Sequence, residues 1–379
     1  MLNNLVGRLP MPQKHKDYDV ALLRILSIFQ RLLEGKTLQK KELAEEFNVS
    51  EKTIQRDINK RLQSYPITYS RNIGWQLDSS FASQNTAASY HQLFEKASHI
   101  KTIEYNLLQA KHAIEEADAI LILAGAGMGV DSGLPDFRGD QGFWKAYPPM
   151  KRLGLTFYDI ANPLWFTRNP SLAWGFYGHR INLYRNTTPH KGFALLKSLV
   201  DAKDQNYFIF TSNVDGQFQK AKFDEAKIFE CHGSIHFNQC THITHSCSQS
   251  IWSNSKELYN VDLSVFQLKS ALPTCVHCGQ IARPNVLMFG DFHFSRERYY
   301  QQQDRFNNWL QTNIIQKQKI VLIEIGAGID VLTVRRLSEE IMCQYECALI
   351  RINPRDYQGP KGVISIPLPA LESLEHLIS

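Results

Sequence analysis

The chain has no apolar run long enough to cross a membrane, and its first residues, MLNNLVGRLPMPQKHKD, lack the charged-then-apolar profile of a secretory leader. These two absences argue against a membrane partner and make the cytoplasm the expected location. No internal repeat or low-complexity stretch interrupts the sequence. Charge of one sign is scarce: a net +5 permits contact with nucleic acid without requiring it. Cysteine is scarce too, and seven is an odd number for a disulfide framework, so in a reducing compartment the cysteine spacing is better read for metal ligation. What the chain does have is 379 residues, 43% of them hydrophobic, enough for two or three domains and a sizeable core.

The organising stretch is Ala119 to Gly139, AILILAGAGMGVDSGLPDFRG. The run Ala119 to Leu123 reads as a buried parallel strand feeding the turn Gly125-Ala126-Gly127. Glycines there let backbone N–H groups approach a pyrophosphate, although such a triplet is as often an ordinary tight turn. The segment that follows is too rich in turn formers and charge for a helix. With Asp136, Phe137 and Arg138 it suggests a lid over a bound nucleotide.

Upstream, Val20 to Leu77 reads as a small separate domain. Apolar residues at helical spacing run from Val20 to Leu33, a short helix covers Leu38 to Phe47, and Ser50 is placed to cap a helix from Glu51 to Leu62. Ile67 to Leu77 looks like two strands about Asn72-Ile73-Gly74. The pattern ELAEEF-N-VS-E-KTI-Q-RDI resembles the winged helix-turn-helix of bacterial repressors. That resemblance implies a DNA-binding face of Lys52, Thr53, Gln55 and Arg56, with Ile54 and Ile58 turned to the core. A helical module for protein contacts, its charges merely solvated, is the alternative. The polar stretch Asp78 to Gln92 suggests a linker, dividing the chain into residues 1–85 and 86–379.

Further on, most of the aromatics between Phe143 and Leu199 read as core packing, a few as lining for the nucleotide loop. The strand Tyr207 to Phe210 ends in Thr211-Ser212-Asn213-Val214-Asp215-Gly216, where open α/β sheets put their chemistry; taken alone, the hexapeptide is equally an Asx turn. Two more strands, Lys319 to Ile325 and Leu349 to Asn353, end at Gly326-Ala327-Gly328 and at Asn353.

The run GAG, then SGLPDFRG, resembles the signature of the sirtuin family, and the likeness covers about residues 100 to 379. It implies a Rossmann-like parallel α/β sheet with a small zinc module at about 236–283, NAD as cofactor, and removal of an acyl group from a protein lysine to give nicotinamide and an acyl-ADP-ribose. Gly125, Ala126, Gly127, Asp136, Phe137, Arg138, Ser212, Asn213, Asp215, Gly326, Ala327, Gly328 and Asn353 would then contact NAD. Asn213 would orient the ribose and Asp215 would hold the nicotinamide carboxamide. His232, in Glu230-Cys231-His232-Gly233-Ser234, would be the general base, catalytic together with Asn213 and Asp215. Val286 and Phe289 would wall an acyl channel. Cys240, Cys247, Cys275 and Cys278 would bind structural zinc, with His236, His242, His245 and His277 available as substitutes for the loosely spaced first pair. Gly129, Ser212 and Ala327 depart from the family pattern. Three alternatives stay open: an NAD glycohydrolase, an ADP-ribosyltransferase on the same site, and a repressor that only senses NAD. An operator of two half-sites would further imply a homodimer.

Overall fold

The computed structural model describes residues 24–71, 73–84, 87–135, 139–244, 246–255 and 258–378. The chain divides into two compact units, residues 1–102 and 103–379.

In the first unit, helices cover 24–33, Lys40–Glu46 and Glu51–Arg56, the last continuing as a π-helical turn, Asp57–Arg61. Ser50 caps the third helix, its hydroxyl accepting from the Thr53 amide at 3.2 Å. Strands β1 (Ile67–Ser70) and β2 (Gly74–Leu77) form an antiparallel wing, and Leu38 and Trp75 exchange both backbone hydrogen bonds at 3.0 and 2.9 Å. Ile28, Leu32, Leu43, Ile54, Ile58 and Trp75 close the core. The helix break at Asp57 has a reason that hydrophobic pattern alone did not reveal. The carboxylate is fully buried and ion-paired with Arg24 at 2.7 Å, tying the third helix to the first.

In the second unit the strands in chain order are β3 (Ala119–Ala124), β4 (Tyr207–Thr211), β5 (Ile228–Glu230), β6 (Gly233–Cys240), β7 (Ile251–Ser253), β8 (Val261–Asp262), β9 (Gln267–Leu268), β10 (Ala282–Val286), β11 (Ile320–Ile325), β12 (Ala348–Ile352) and β13 (Ile364–Ile366). Six form a parallel sheet in the order β13-β12-β11-β3-β4-β5. All of β3 is buried because both faces are covered. Ile120 and Ile122 pack with Phe193, Leu196 and Leu374, while Leu121 and Leu123 pack with Phe306, Leu310 and Ile341. The parallel register puts the ends of β3, β4 and β11 side by side: Ala124 lies level with Thr211 on one flank and Ile325 on the other.

Beyond this sheet, β6 runs between β10 and β7 in a three-stranded antiparallel sheet that leads to the cysteines. Phe143, Tyr147, Trp174, Phe176 and Tyr177 are fully buried in a separate apolar cluster, as expected of core aromatics. Among the described residues, no helix is long and apolar enough to cross a membrane.

Candidate active site

The glycine turn after β3 meets the turn after β11. Gly125 donates to the Ile325 carbonyl at 2.9 Å and Gly127 to the Gly326 carbonyl at 3.0 Å. A Cβ on Gly127 would stand 2.6 Å from Gly326 Cα, and one on Gly326, whose φ is +65°, would stand 2.3 Å from the Met128 nitrogen. The interlocking of these two turns is therefore enough to require the glycines. After Gly125 the backbone winds into a 3₁₀ segment, Ala126–Ser132, which explains why the sequence shows no ordinary helix signal there. Gly129 also has a packing reason, since a Cβ would come within 3.1 Å of Leu134 Cδ1. Asp136, Phe137 and Arg138, expected to form the lid, lie outside the described residues, as does His245.

From the end of β4, Asn213 donates its side-chain amide to the Gly125 carbonyl at 2.9 Å, tying this strand end to the glycine turn. Asp215 accepts from the Gln217 amide at 2.9 Å, so the Asx turn considered above is present. Burial pushes the Asp215 carboxyl up to about 6, with the Gln217 bond working the other way.

His232 follows β5. Its Nε2 lies 3.3 Å from Thr333 Oγ1, and burial lowers its basicity while a hydrogen bond to the Ser212 backbone raises it. The adjacent Gly233, at φ +77°, has no room for a Cβ, which would stand 2.1 Å from the Asn285 carbonyl oxygen.

One cleft of about 450 Å³ brings these groups together, lined by Gly125, Ala126, Gly127, Ser212, Asn213, Asp215, His232, Val286, Phe289, Gly326, Ala327 and Gly328. A second, more open groove of about 500 Å³, beside Trp252 and Arg298, contains none of the predicted residues. Asn353 stands behind the main cleft, only 2% exposed. Its amide nitrogen donates to the Ala327 carbonyl at 2.9 Å, and its oxygen accepts from Arg355 and Asp356 at 3.0 and 2.9 Å, so the side chain links two loops at the strand ends. Asp291 is similarly occupied, in a bidentate pair with Arg283 at 2.7 and 3.0 Å.

The sequence reading missed Arg180, which lines the cleft. Its guanidinium donates to the Tyr184 hydroxyl at 3.1 and 2.7 Å and lies 5.4 to 5.8 Å from the ring centres of Phe157, Phe176, Tyr177 and Tyr184. Its position in an aromatic-rich helix was the available signal, because a cation in such a helix can be held against ring faces.

Cys240, Cys247, Cys275 and Cys278 converge, all four sulfurs lying within 4.8 Å of one another. Cys240 to Cys278 is 3.6 Å and Cys275 to Cys247 is 3.7 Å. A tetrahedral zinc with Zn–S bonds of about 2.3 Å sets its sulfurs about 3.8 Å apart, so the donor set fits zinc with no ligand position left for water. His236, considered as a substitute ligand, instead faces the active site, its Nε2 3.0 Å from the Asp215 carbonyl oxygen. His242 pairs with Thr244 and the His277 ring packs edge-on to Trp252, so the loosely spaced first pair still supplies thiolates.

A doubly covered parallel sheet with glycine turns at adjacent strand ends, a histidine in the cleft they form and a four-cysteine module define a Rossmann-like enzyme with a structural zinc site. The chain belongs to the Sir2 family, whose model matches residues 125–318, and an "HTH domain" model matches residues 24–76. It is 30% identical over 189 residues to NAD-dependent protein deacylase 1 of Caldanaerobacter subterraneus, covering 50% of this chain and 67% of that protein. It is 33% identical over 173 residues to the NAD-dependent protein deacylase of Leptospira interrogans, covering 45% of this chain and 60% of that protein. A solved mutant Sir2 homologue in complex with ADP-ribose shares 25% identity at a TM-score of 0.53, covering 71% of this chain and 94% of its own. A solved Sir2 homologue–NAD complex, 24% identical with a TM-score of 0.53, covers 71% of this chain and 91% of its own and shares the fold.

Proposed function

We propose that the chain is an NAD-dependent protein-lysine deacylase of the cytoplasm whose amino-terminal domain, residues 1–85, binds duplex DNA and couples deacylation to transcription. The catalytic domain is residues 86–379, with its zinc module at about 236–283. The observation that carries the enzymatic reading is the convergence of His232, Asn213 and Asp215 with two interlocked glycine turns and the apolar pair Val286 and Phe289 in one cleft. NAD fits because the two small-residue turns, Gly125 to Gly127 and Gly326 to Gly328, line the cleft where a dinucleotide could lie against backbone, and it would supply a ribose carbon from which nicotinamide can depart. Gly125 to Gly127 and Gly326 to Gly328 would hold the phosphates, and Asn353 would keep the adenosine-side loop in place through its bond to the Ala327 carbonyl; Asp136, Phe137 and Arg138 are assigned to the same cofactor by resemblance alone. Ser212 and Asn213 would hold the ribose, and Asp215 would accept from the carboxamide. Val286 and Phe289 receive the acyl chain, and the Tyr158 ring, 4.1 Å from that of Phe289, continues this wall. His232 would take the proton from a ribose hydroxyl, a task suited to an imidazole whose burial favours the neutral form.

Two features support the DNA-binding half: the match to a helix-turn-helix model, and a third helix with Lys52, Gln55 and Arg56 exposed and Ile54 inside. Thr53 is half-buried and shares its hydroxyl with Ser50 at 2.9 Å, leaving the other three as the main contacts.

The test incubates the full chain with NAD and an acetyl-lysine peptide and identifies every product by mass. Nicotinamide release should depend on the peptide, and His232→Ala should lower deacylation by about two to four powers of ten with NAD still bound. NAD loss at the same rate without peptide would replace this reading with a glycohydrolase. ADP-ribose attached to protein would replace it with a transferase, and an absence of turnover with NAD bound would leave a sensor.

A further inference from the structure

A histidine outside the cleft grips the segment that carries the first glycine turn. Ala126 and Gly127 line the cleft, and the 3₁₀ segment they begin runs on to Ser132. Against this segment starts the helix Lys191–Asp201, with His190 as its cap residue. The His190 backbone N–H donates to Ser132 Oγ at 2.9 Å, at the far end of the segment, and its Nε2 lies 3.0 Å from the Met128 carbonyl oxygen, next to Gly127. Its Nδ1 accepts from the Gly192 amide at 3.0 Å. The ring needs a glycine there: a Cβ on Gly192 would stand 2.5 Å from His190 Cε1 and 2.8 Å from Nδ1. Phe193 packs edge-on to the ring at 5.0 Å and is itself buried with Leu196 and Met128 in the core on that face of the sheet. Asp131 adds a third tie, accepting from the Leu371 amide at 2.7 Å. Of the three tied residues, only Met128 adjoins the cleft-lining Gly127 in the chain.

The two ring contacts fix the tautomer, because each partner can play only one part. A backbone N–H only donates, so Nδ1 holds the lone pair; a carbonyl only accepts, so Nε2 carries the proton. The imidazole therefore does two things at one helix start: Nδ1 caps the helix, as an Asn or Ser oxygen would, and the Nε2 N–H reaches across to the turn. We propose that His190 is a positioning residue for the cofactor turn, its Nε2 N–H holding the Met128 carbonyl so that the backbone of Ala126 and Gly127 keeps the setting that receives the NAD phosphates. This rests on the reading that Gly125 to Gly127 hold those phosphates. His190 does not line the cleft, so its effect falls on NAD binding rather than on the chemical step.

Amide side chains separate the two contacts. His190→Asn puts an acceptor oxygen where Nδ1 stands and is too short to reach Met128, whereas His190→Gln carries an N–H donor out to the place of Nε2 and offers the Gly192 amide no acceptor. Both are made in the full chain. NAD Kd is read by calorimetry, NAD KM and kcat by peptide-dependent nicotinamide release, and Tm by thermal unfolding. The asparagine variant should bind NAD about three- to tenfold more weakly, the weight of one hydrogen bond, with KM rising in step and kcat at saturating NAD falling less than about twofold. Its Tm should stay within about 1 °C of wild type, since the cap is kept. The glutamine variant should show the reverse: NAD Kd within about twofold of wild type and Tm lower by about 2–4 °C. In ¹⁵N NMR of labelled histidine, the signal that the asparagine variant loses should report Nδ1 unprotonated and Nε2 protonated. Wild-type NAD affinity in the asparagine variant, an equal loss of affinity in both variants, a loss confined to kcat, or a protonated Nδ1 would each overturn the inference. If the wild-type chain itself binds no NAD, the cofactor reading falls and the inference with it; failure of the inference alone shows as NAD bound equally by wild type and the asparagine variant.

Discussion

Asp215 carries opposing demands at a single residue. As the group proposed to hold the carboxamide it is useful ionised, yet burial raises its pKa from 3.8 to about 6. A carboxyl whose folded pKa lies above its unfolded value favours folding while protonated. That contribution is complete below about pH 4 and is lost as pH rises through about 6, so at neutral pH the folded chain bears the cost of the charge. For this partly exposed group the cost is on the order of 1–2 kcal/mol once solvent screening is allowed for. Asp215→Asn should therefore raise Tm by several degrees at pH 7.5, have little effect near pH 4, and abolish deacylation. Thermal unfolding at both values tests this, and a variant less stable than wild type at pH 7.5 would refute it. The polar end of β4 marked Asn213 and Asp215 as candidates, and only the family resemblance singled out His232; the structure brings all three to one cleft. Arg180 was only faintly legible, through its place in an aromatic-rich helix, because the fold alone turns it toward four rings.

At the scale of elements, the sheet was legible because β3, β4, β11 and β12 are apolar runs that end in glycine or polar residues, and a doubly covered parallel sheet requires such runs. The glycines were legible as a turn but not as a pair of turns, since the approach of Gly127 to Gly326 depends on β3 and β11 being neighbours. The cysteine module was half legible. Cys275 and Cys278 form a knuckle in sequence, whereas Cys240 and Cys247 reach it only because β6 pairs with β10 and carries Cys240 alongside Ala282. With four sulfurs and no open position, the metal is structural. Metal analysis should find about one zinc per chain. Cys275→Ser should lose that zinc and lower Tm, because it removes one of four ligands whose binding is part of the folding free energy. A metal-free wild-type chain of equal stability would show that the thiols pack without zinc.

For the whole molecule, the question is whether the amino-terminal unit contributes DNA binding. Net charge decides little at +5, so the argument turns on where the cations stand. On the third helix Lys52 and Arg56 are exposed, while the one acid that follows them, Asp57, is buried and paired with Arg24. That burial takes the acid next to Arg56 off the outer face, while Glu51 at the helix start is exposed and pairs with Lys40 at 3.6 Å, so Lys52, Arg56 and Gln55 are left to meet phosphates and base edges. The full chain should then bind duplex DNA with an affinity that falls steeply with salt, because each phosphate neutralised releases condensed counterions. Lys52→Ala and Arg56→Ala should each weaken binding and reduce the slope of log K against log salt by about one if the contact is to phosphate. Gln55→Ala, if Gln55 reads a base, should leave the slope unchanged and lose discrimination between sequences. One such helix reads a half-site, so an operator with two half-sites about 10 base pairs apart should bind two chains, measurable as the mass of the complex in solution. Gel shifts over genomic fragments at low salt provide the decisive control. If no fragment is retained, or if retention survives loss of both Lys52 and Arg56 with its salt slope intact, the unit is a protein-contact module and the coupling to transcription falls with it.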